Sequence, residues 1–281
     1  MNEEAPAYFL YVRDLLKERS GLVVTAQKLY LLETRLLPLV HRYGYHSIDD
    51  MISTLQSSHN ESLAVDIAEA MNTHESLFFR DVKPFEFFQS TIIPELLQRR
   101  AAKKSFRIWC AACSTGQEPL SLAMVLAEEA ERLKGWNVEI VATDVSHSVL
   151  KKAKEGRFSQ FEVQRGLPVQ KLLKHFIQEG DTWKVNNDLL QKIQFKHLNL
   201  LDAPYRLGKF DMMFCRNVLI YFDLKTKSQV MTHLSKCVED DGILFLGSSE
   251  STIGITDEFC PVRAGQGVYK LANDQPSLME G

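Results

Sequence analysis

The chain has 281 residues, a net charge of −3, 45% hydrophobic residues and 25% charged ones, which suits one large domain, or one with a small companion, around a buried core. This balance excludes wholesale nucleic-acid binding, no apolar run nears the ~20 residues that span a bilayer, and the acidic residues 1–6 carry no leader pattern. Five cysteines without framework spacing read as a reduced, cytoplasmic protein.

Residues 1–75 read as an all-helical domain. A first helix over 7–19 stops near Gly21, and Thr25 can cap a second. In that second helix Leu29, Leu32, Leu36, Leu39 and Tyr43 recur by threes and fours, which makes one buried stripe. Pro38 is expected to break or kink it. Lys28, Arg35 and Arg42 are spaced by seven and share one face. They form either a basic stripe that steers an acidic partner or an ordinary solvated surface. Two further helices fall at 47–55 and 61–71. Residues 76–105 read as a linker and cofactor-site segment.

From Phe106 the period changes. Apolar runs at 106–110, 138–142, 210–215 and 242–246 alternate with helical segments, the pattern of a doubly wound, mostly parallel α/β sheet over residues 106–273. Residues 170–195 are less regular, with extended segments at 183–185 and 190–195 that read as an inserted β-hairpin. Residues 274–281 form a polar, flexible tail.

The stretch "FRIWCAACSTGQEPLSLAM" reads as strand, tight loop and helix. Of a dinucleotide fingerprint it holds only Gly116, and Glu118 would repel a phosphate. A ligand with a ribose and an ammonium group, such as S-adenosylmethionine, suits that acid; the alternative is that Glu118 caps its helix. Asp144 ends the strand in "VEIVATDVSHSVLKKA", where an acid can accept ribose hydroxyls. Ser146 is the better helix cap. In "FDMMFCRNVLIYFD" an apolar strand stops at Arg216 and Asn217. Asn217 can bond a ligand's polar edge, and Tyr221 brings a hydroxyl to the rim or simply packs, as Phe222 does. Cys110 and Cys113 form a C-x-x-C, but the strand-end context argues against redox chemistry. The eight histidines lack metal-ligand spacing, so no metal is expected.

Taken together and in order, "THESLFFRD", "CAACSTGQEPLSLAM", "ATDVSHSVLKKAKEGRF", "RGLP", "HLNLLD" and "FDMMFCRNVLIYFD" resemble the chemotaxis receptor glutamate O-methyltransferases, the CheR family, over most of the chain. The resemblance implies a helical N-terminal domain, an S-adenosylmethionine-dependent methyltransferase domain and a small β-subdomain inserted in it. By matching position it implies cofactor contacts at His74, Ser76, Arg80, Glu118, Asp144, Asn199, Leu200, Arg216 and Asn217. Arg80 would orient the substrate carboxylate, with a salt bridge to Asp81 as the plainer alternative, and Tyr221 would bond or wall the reacting group. His74 and Ser76 stand where many members carry Asn and Thr, and Gln117 where many carry an acid. The implied partner is the helical bundle of methyl-accepting receptors, met by Lys28, Arg35 and Arg42 and, in some members, by a receptor C-terminal peptide at the β-subdomain. A monomer without nucleic-acid or membrane contacts is expected. Competing readings are a small-molecule methyltransferase, which would not need the helical domain, and a cofactor-binding scaffold, which would not need Arg80, Asn217 and Tyr221 together.

Overall fold

The computed structural model describes residues 6–262 and 267–272; the tail expected at 274–281 lies outside them. The chain divides into two compact units, Met1–Thr73 with Tyr221–Thr226, and His74–Ile220 with Lys227–Gly281.

The first unit is built from α1 (Ala7–Ser20), α2 (Leu29–Tyr43), α3 (Ile48–Ser58) and α4 (Glu61–Met71). Gly21 and Gly44 end α1 and α2 in left-handed conformation, at φ 74° and 73°. Ser47 and Asn60 cap α3 and α4 by accepting from the N–H groups of Asp50 and Leu63, each cap worth about 1 kcal/mol. Val12, Leu16, Leu32, Leu36, Met51, Leu63 and Ile67 are wholly buried. Burying a side chain of that size contributes about 1.5–3 kcal/mol.

Pro38 does not break α2, which runs through it. The lost hydrogen bond is outweighed because Leu32, Leu36, Leu39 and Val40 lock both sides of the proline into the core. Thr25 makes no side-chain cap; it precedes a 3₁₀ turn, Ala26–Lys28, from which α2 starts. The basic stripe is partly internal. Arg35 donates to the carbonyls of Met71 (2.5 Å) and Asn72 (3.1 Å), closing the end of α4. Arg42 pairs with Asp66 at 2.8 Å, and Lys28 is exposed. The segment Tyr221–Thr226 is held in this unit: Tyr221 O accepts from Val23 N–H at 3.0 Å and Lys17 pairs with Asp223 at 2.7 Å.

The second unit opens with residues that do not behave as a linker. α5 (Lys83–Phe87), a π-helical turn (Phe88–Ile92) and α6 (Ile93–Arg99) bury Phe85, Phe88, Ile92, Ile93 and Leu96. That apolar content is too large to leave in water. There follow β1 (Ser105–Ala111), α7 (Gln117–Glu128), β2 (Asn137–Asp144), α8 (His147–Glu155), β3 (Arg157–Ser159), α9 (Gln160–Gln164), α10 (Val169–His175), β4 (Phe176–Glu179), β5 (Thr182–Val185), α11 (Asn187–Leu190), β6 (Ile193–His197), β7 (Phe210–Cys215), α12 (Leu224–Ser235), β8 (Val238–Leu246), β9 (Phe259–Pro261) and β10 (Val268–Leu271).

Seven strands form one sheet in the order β6-β2-β1-β7-β8-β10-β9. The first five are parallel, and β10 returns antiparallel to β8. All six residues of β7 are buried, as a strand covered on both faces requires. The chain winds outward from β1 to β2 and β6, then crosses back to β7 on the other side of β1. The order therefore reverses between β1 and β7, and a crevice at the carboxyl ends of the strands follows from that reversal.

The small β-subdomain is a three-stranded sheet in the order β3-β5-β4, so the expected hairpin is corrected. The run expected as its second strand, 190–195, is instead β6, paired in parallel with β2 from Ile140↔Ile193 to Asp144↔His197. The partner of β5 is β4, joined through the left-handed Gly180 (φ 61°). Ile193 is buried against the main sheet, which draws the run there.

Candidate functional site

Glu118, Asp144, Asn199, Leu200, Arg216 and Asn217 all lie at, or a few residues beyond, the carboxyl ends of parallel strands. Side chains far apart in sequence meet there because the strands are in register.

The loop after β1 is tightly wound, with positive φ at Ala112 (60°), Ser114 (51°) and Gly116 (97°). At Gly116 a Cβ would sit 3.1 Å from that of Ala153 on α8, so glycine lets α7 start close against α8. Ser114 links three segments. Its N–H donates to Asp144 Oδ2 at 2.8 Å, and its hydroxyl donates to the carbonyl of His74 at 3.0 Å. The other Asp144 oxygen accepts from Ser146 N–H at 3.0 Å, and Ser146 caps α8 through Val149 N–H. The Asp144 carboxylate thus retains lone-pair capacity for a further donor. Burial raises the Asp144 pKa, opposed by these N–H bonds and by the charge of His74.

Arg216 is the centre of the second cluster, its side chain only 2% exposed. It donates to Asp81 Oδ2 at 2.6 Å, to Glu118 Oε2 at 3.0 Å and to the carbonyl of Arg80 at 2.8 Å. Its Nε is buried with no partner among the described residues. Burial raises the Glu118 pKa, with Arg216 pulling against it. Asp81 is therefore paired with Arg216 rather than with Arg80; the half-buried Arg80 reaches the carbonyl of Glu75 at 3.3 Å. The turn carrying Arg80 and Asp81 is left-handed at Phe79, Asp81 and Val82. Phe79 N–H is anchored on the Ser121 hydroxyl of α7 at 3.0 Å.

On the third strand end Asn199 Oδ1 accepts from Leu201 N–H at 3.1 Å, Leu198 N–H returns to Asp144 O at 3.0 Å, and Leu200 is buried. Ser76 is half-buried. Tyr221 is grouped with the helical unit. The sequence reading missed Asp81 as the partner of Arg216, Ser114 as the link between segments, and Glu250, whose carboxylate accepts from Asn217 N–H at 2.7 Å. Asp81 at least lay inside a quoted motif. Cys110 and Cys113 are buried free thiols whose pKa burial pushes well up, which suits packing and not redox exchange. Among the described residues no group of three His, Cys, Asp or Glu could hold a metal ion.

Two family profiles match the chain: "CheR methyltransferase, SAM binding domain" over residues 74–268 and "CheR methyltransferase, all-alpha domain" over residues 7–66. The chain belongs to the CheR methyltransferase family. Similar proteins include chemotaxis protein methyltransferase 1 of Pseudomonas aeruginosa, 37% identical over 95% of this chain and 98% of that one. The chemotaxis protein methyltransferase of Vibrio parahaemolyticus is 38% identical over 91% and 94%. Cher2 of Pseudomonas putida is 34% identical over 94% and 97%.

A CheR methyltransferase takes its methyl group from S-adenosylmethionine, and the residues present fit that group. Asp81, Glu118, Asp144 and Glu250 outnumber Arg80 and Arg216, so the site favours a ligand of net positive charge. Asp144 has capacity for hydroxyl donors, and the orphaned Arg216 Nε is a donor in need of an acceptor.

A pH dependence follows from the buried acids. A carboxyl group whose folded pKa is raised holds its proton above the ordinary range near ~4; its stability contribution is present below that range and is lost as pH rises through the raised value. A cation or hydroxyl donor favours the ionised form, so cofactor binding should release protons at mildly acid pH, and affinity should rise with pH until Asp144 and Glu118 are both ionised. Calorimetry of S-adenosylhomocysteine binding in two buffers of different ionisation enthalpy measures this release directly. Equal heats in both buffers across the acid range would show that neither acid loses a proton on binding.

Proposed function

We infer that this CheR methyltransferase transfers the methyl group of S-adenosylmethionine to glutamate side chains of chemotaxis receptors, leaving glutamyl methyl esters and S-adenosylhomocysteine. It thereby serves adaptation in a cytoplasmic signalling pathway. The reading is carried by the Asp144 and Arg216 clusters, set at the strand ends of a chain that carries both CheR domains.

When bound, S-adenosylmethionine supplies an electrophilic methyl group on a sulfonium. The chain's own residues have the remaining tasks of holding, orienting and excluding water. Asp144 receives the ribose hydroxyls, and Asn199 and Leu200 border the base. Glu118, Arg216 and Asn217 face the amino-acid end, and His74 and Ser76 close the site from the segment before α5. A glutamate side chain has a pKa near ~4.3, so it is already ionised at neutral pH and needs no general base. Burial without a partner would raise that pKa and weaken the nucleophile. Arg80, free of the Asp81 pair, is the cation that keeps the substrate ionised and aims it. Alignment of this kind can supply about 7–11 kcal/mol.

Receptor contact falls to two surfaces. At α2 it rests on Arg42 and on Lys28, which immediately precedes the helix, since Arg35 is occupied with the end of α4. On the β-subdomain the edge strand β4 and the exposed Val169, Leu173 and Ile177, each at least 60% exposed, suit an extended receptor peptide.

One assay tests these points. Receptor-containing membranes labelled by the enzyme should release volatile methanol after mild alkali, because hydroxide attacks a methyl ester but not a methylated amine. Label that survives alkali would exclude glutamate as the acceptor. Lys28→Ala with Arg42→Ala should lower labelling most at low salt, and receptors lacking their C-terminal residues should label more slowly. Unchanged rates in either arm would remove the corresponding surface.

A further inference from the structure

β8 ends at Leu246 and the chain turns at once, Glu250 N–H donating to Gly247 O at 2.9 Å. The turn brings the Glu250 carboxylate, 9% exposed, back to the loop that follows β7. Its Oε2 accepts from Asn217 N–H and from Gly247 N–H, both at 2.7 Å, and its Oε1 from Ile220 N–H at 3.3 Å. One buried side chain thus fixes both ends of the Asn217–Ile220 loop and ties them to the neighbouring strand.

The loop needs such a tie. Asn217 is left-handed, at φ 59°, which costs about 1 kcal/mol unless the surroundings impose it. The fit is close on every side: a Cβ at Gly247 would lie 2.7 Å from both Asn217 Nδ2 and Glu250 Oε2. Asn217, Gly247 and Glu250 therefore hold one another in a single arrangement, in which the Asn217 backbone N–H is consumed and its side chain is aimed.

We propose that Glu250 is a positioning residue for the cofactor site: through three backbone N–H groups it sets the Asn217 loop in its binding geometry without itself touching the cofactor. The proposal rests on the reading above that Asn217 contacts the cofactor.

The test titrates S-adenosylhomocysteine into the full-length wild type, Asn217→Ala, Glu250→Gln and the double variant, with unfolding followed on the same samples. Glutamine keeps the shape and one acceptor oxygen, but it turns an amide donor towards a backbone donor. Glu250→Gln should weaken binding by about tenfold in the folded protein, as expected for a charge-assisted hydrogen bond replaced by a donor clash. In the Asn217→Ala background the same change should add almost nothing, because both act through one contact. Wild-type affinity in Glu250→Gln, a lowered unfolding midpoint with affinity intact, or full additivity with Asn217→Ala would each overturn the proposal while leaving the Asn217 contact standing. Unchanged affinity in Asn217→Ala would overturn that contact and the proposal with it.

Discussion

Arg216→Ala is expected to lower the unfolding free energy by about 3 kcal/mol, near the lower end of the range for removing one partner of a buried ion pair. Its guanidinium is 2% exposed and serves Asp81 and Glu118 together. The estimate sits low because Asp81, 35% exposed, can turn to water once Arg216 is gone. Glu118, at 14%, has less recourse. Burial already raises the Glu118 pKa and Arg216 counteracts it, so the variant should hold Glu118 protonated to still higher pH. A neutral acid tolerates burial, and the deficit should therefore shrink as pH falls through that raised pKa. Urea unfolding of wild type and variant at neutral and mildly acid pH measures both effects. A loss below ~1 kcal/mol that does not change with pH would mean that water replaces the arginine freely. As a proposed cofactor contact, Arg216 should also carry cofactor affinity down with it.

Gly166→Ala should be at least as damaging. Gly166 sits at φ 85°, and a Cβ there would lie 2.1 Å from the carbonyl oxygen of Phe78. The obstacle is backbone, and Phe78 is wholly buried, edge-on to Phe158 of β3 (5.1 Å) and Phe176 of β4 (5.7 Å). Neither chain can yield without moving that aromatic cluster, so a loss of about 3 kcal/mol or more is expected. Gly180→Ala is the comparison. It is also left-handed, at φ 61°, but has nothing within 4 Å, so it should lose only the strain, about 1 kcal/mol. If the two alanines destabilise equally in denaturant unfolding, the close approach at Phe78 contributes nothing. The contact also joins "RGLP" to "FFR" in space: Gly166 lies against Phe78, and Arg165 beside it pairs with Glu75 at 2.6 Å.

What could be read from the sequence followed from patterns that local physics imposes. The strand at Phe210–Cys215 was legible to the residue because a run of five apolar residues, interrupted only by Asp211, ends abruptly at an arginine. The position of Asp144 at the end of its strand was legible because an apolar run stops just before it. Helix α2 was legible from its stripe, though not its passage through Pro38, where tertiary packing outweighs a local rule. The place of β6 was hidden because a short alternating run does not say which strand it will join; only the space beside β2 decides that. The arginine that takes Asp81 was hidden for a similar reason, since Arg80 is adjacent in sequence while Arg216 arrives from another strand. Glu250 gave no signal, lying in a polar turn whose role depends entirely on the loop it meets.

The thiols of this protein have a practical consequence. Cys110 and Cys215 are buried in the sheet and Cys113 in the loop after β1, and burial holds each well above the ordinary thiol pKa. Cys237 is buried and shifted the same way. The thiolate is the form that attacks peroxide and alkylating reagents, so these four should stay inert in the folded chain although two of them, Cys110 and Cys215, lie on strands that carry the site. Cys260, on β9, is the partly exposed one. A maleimide dye should therefore settle on Cys260 alone without any engineering. It would report on the enzyme from the far edge of the sheet, and the appearance of a second reactive thiol would be a direct clock for unfolding.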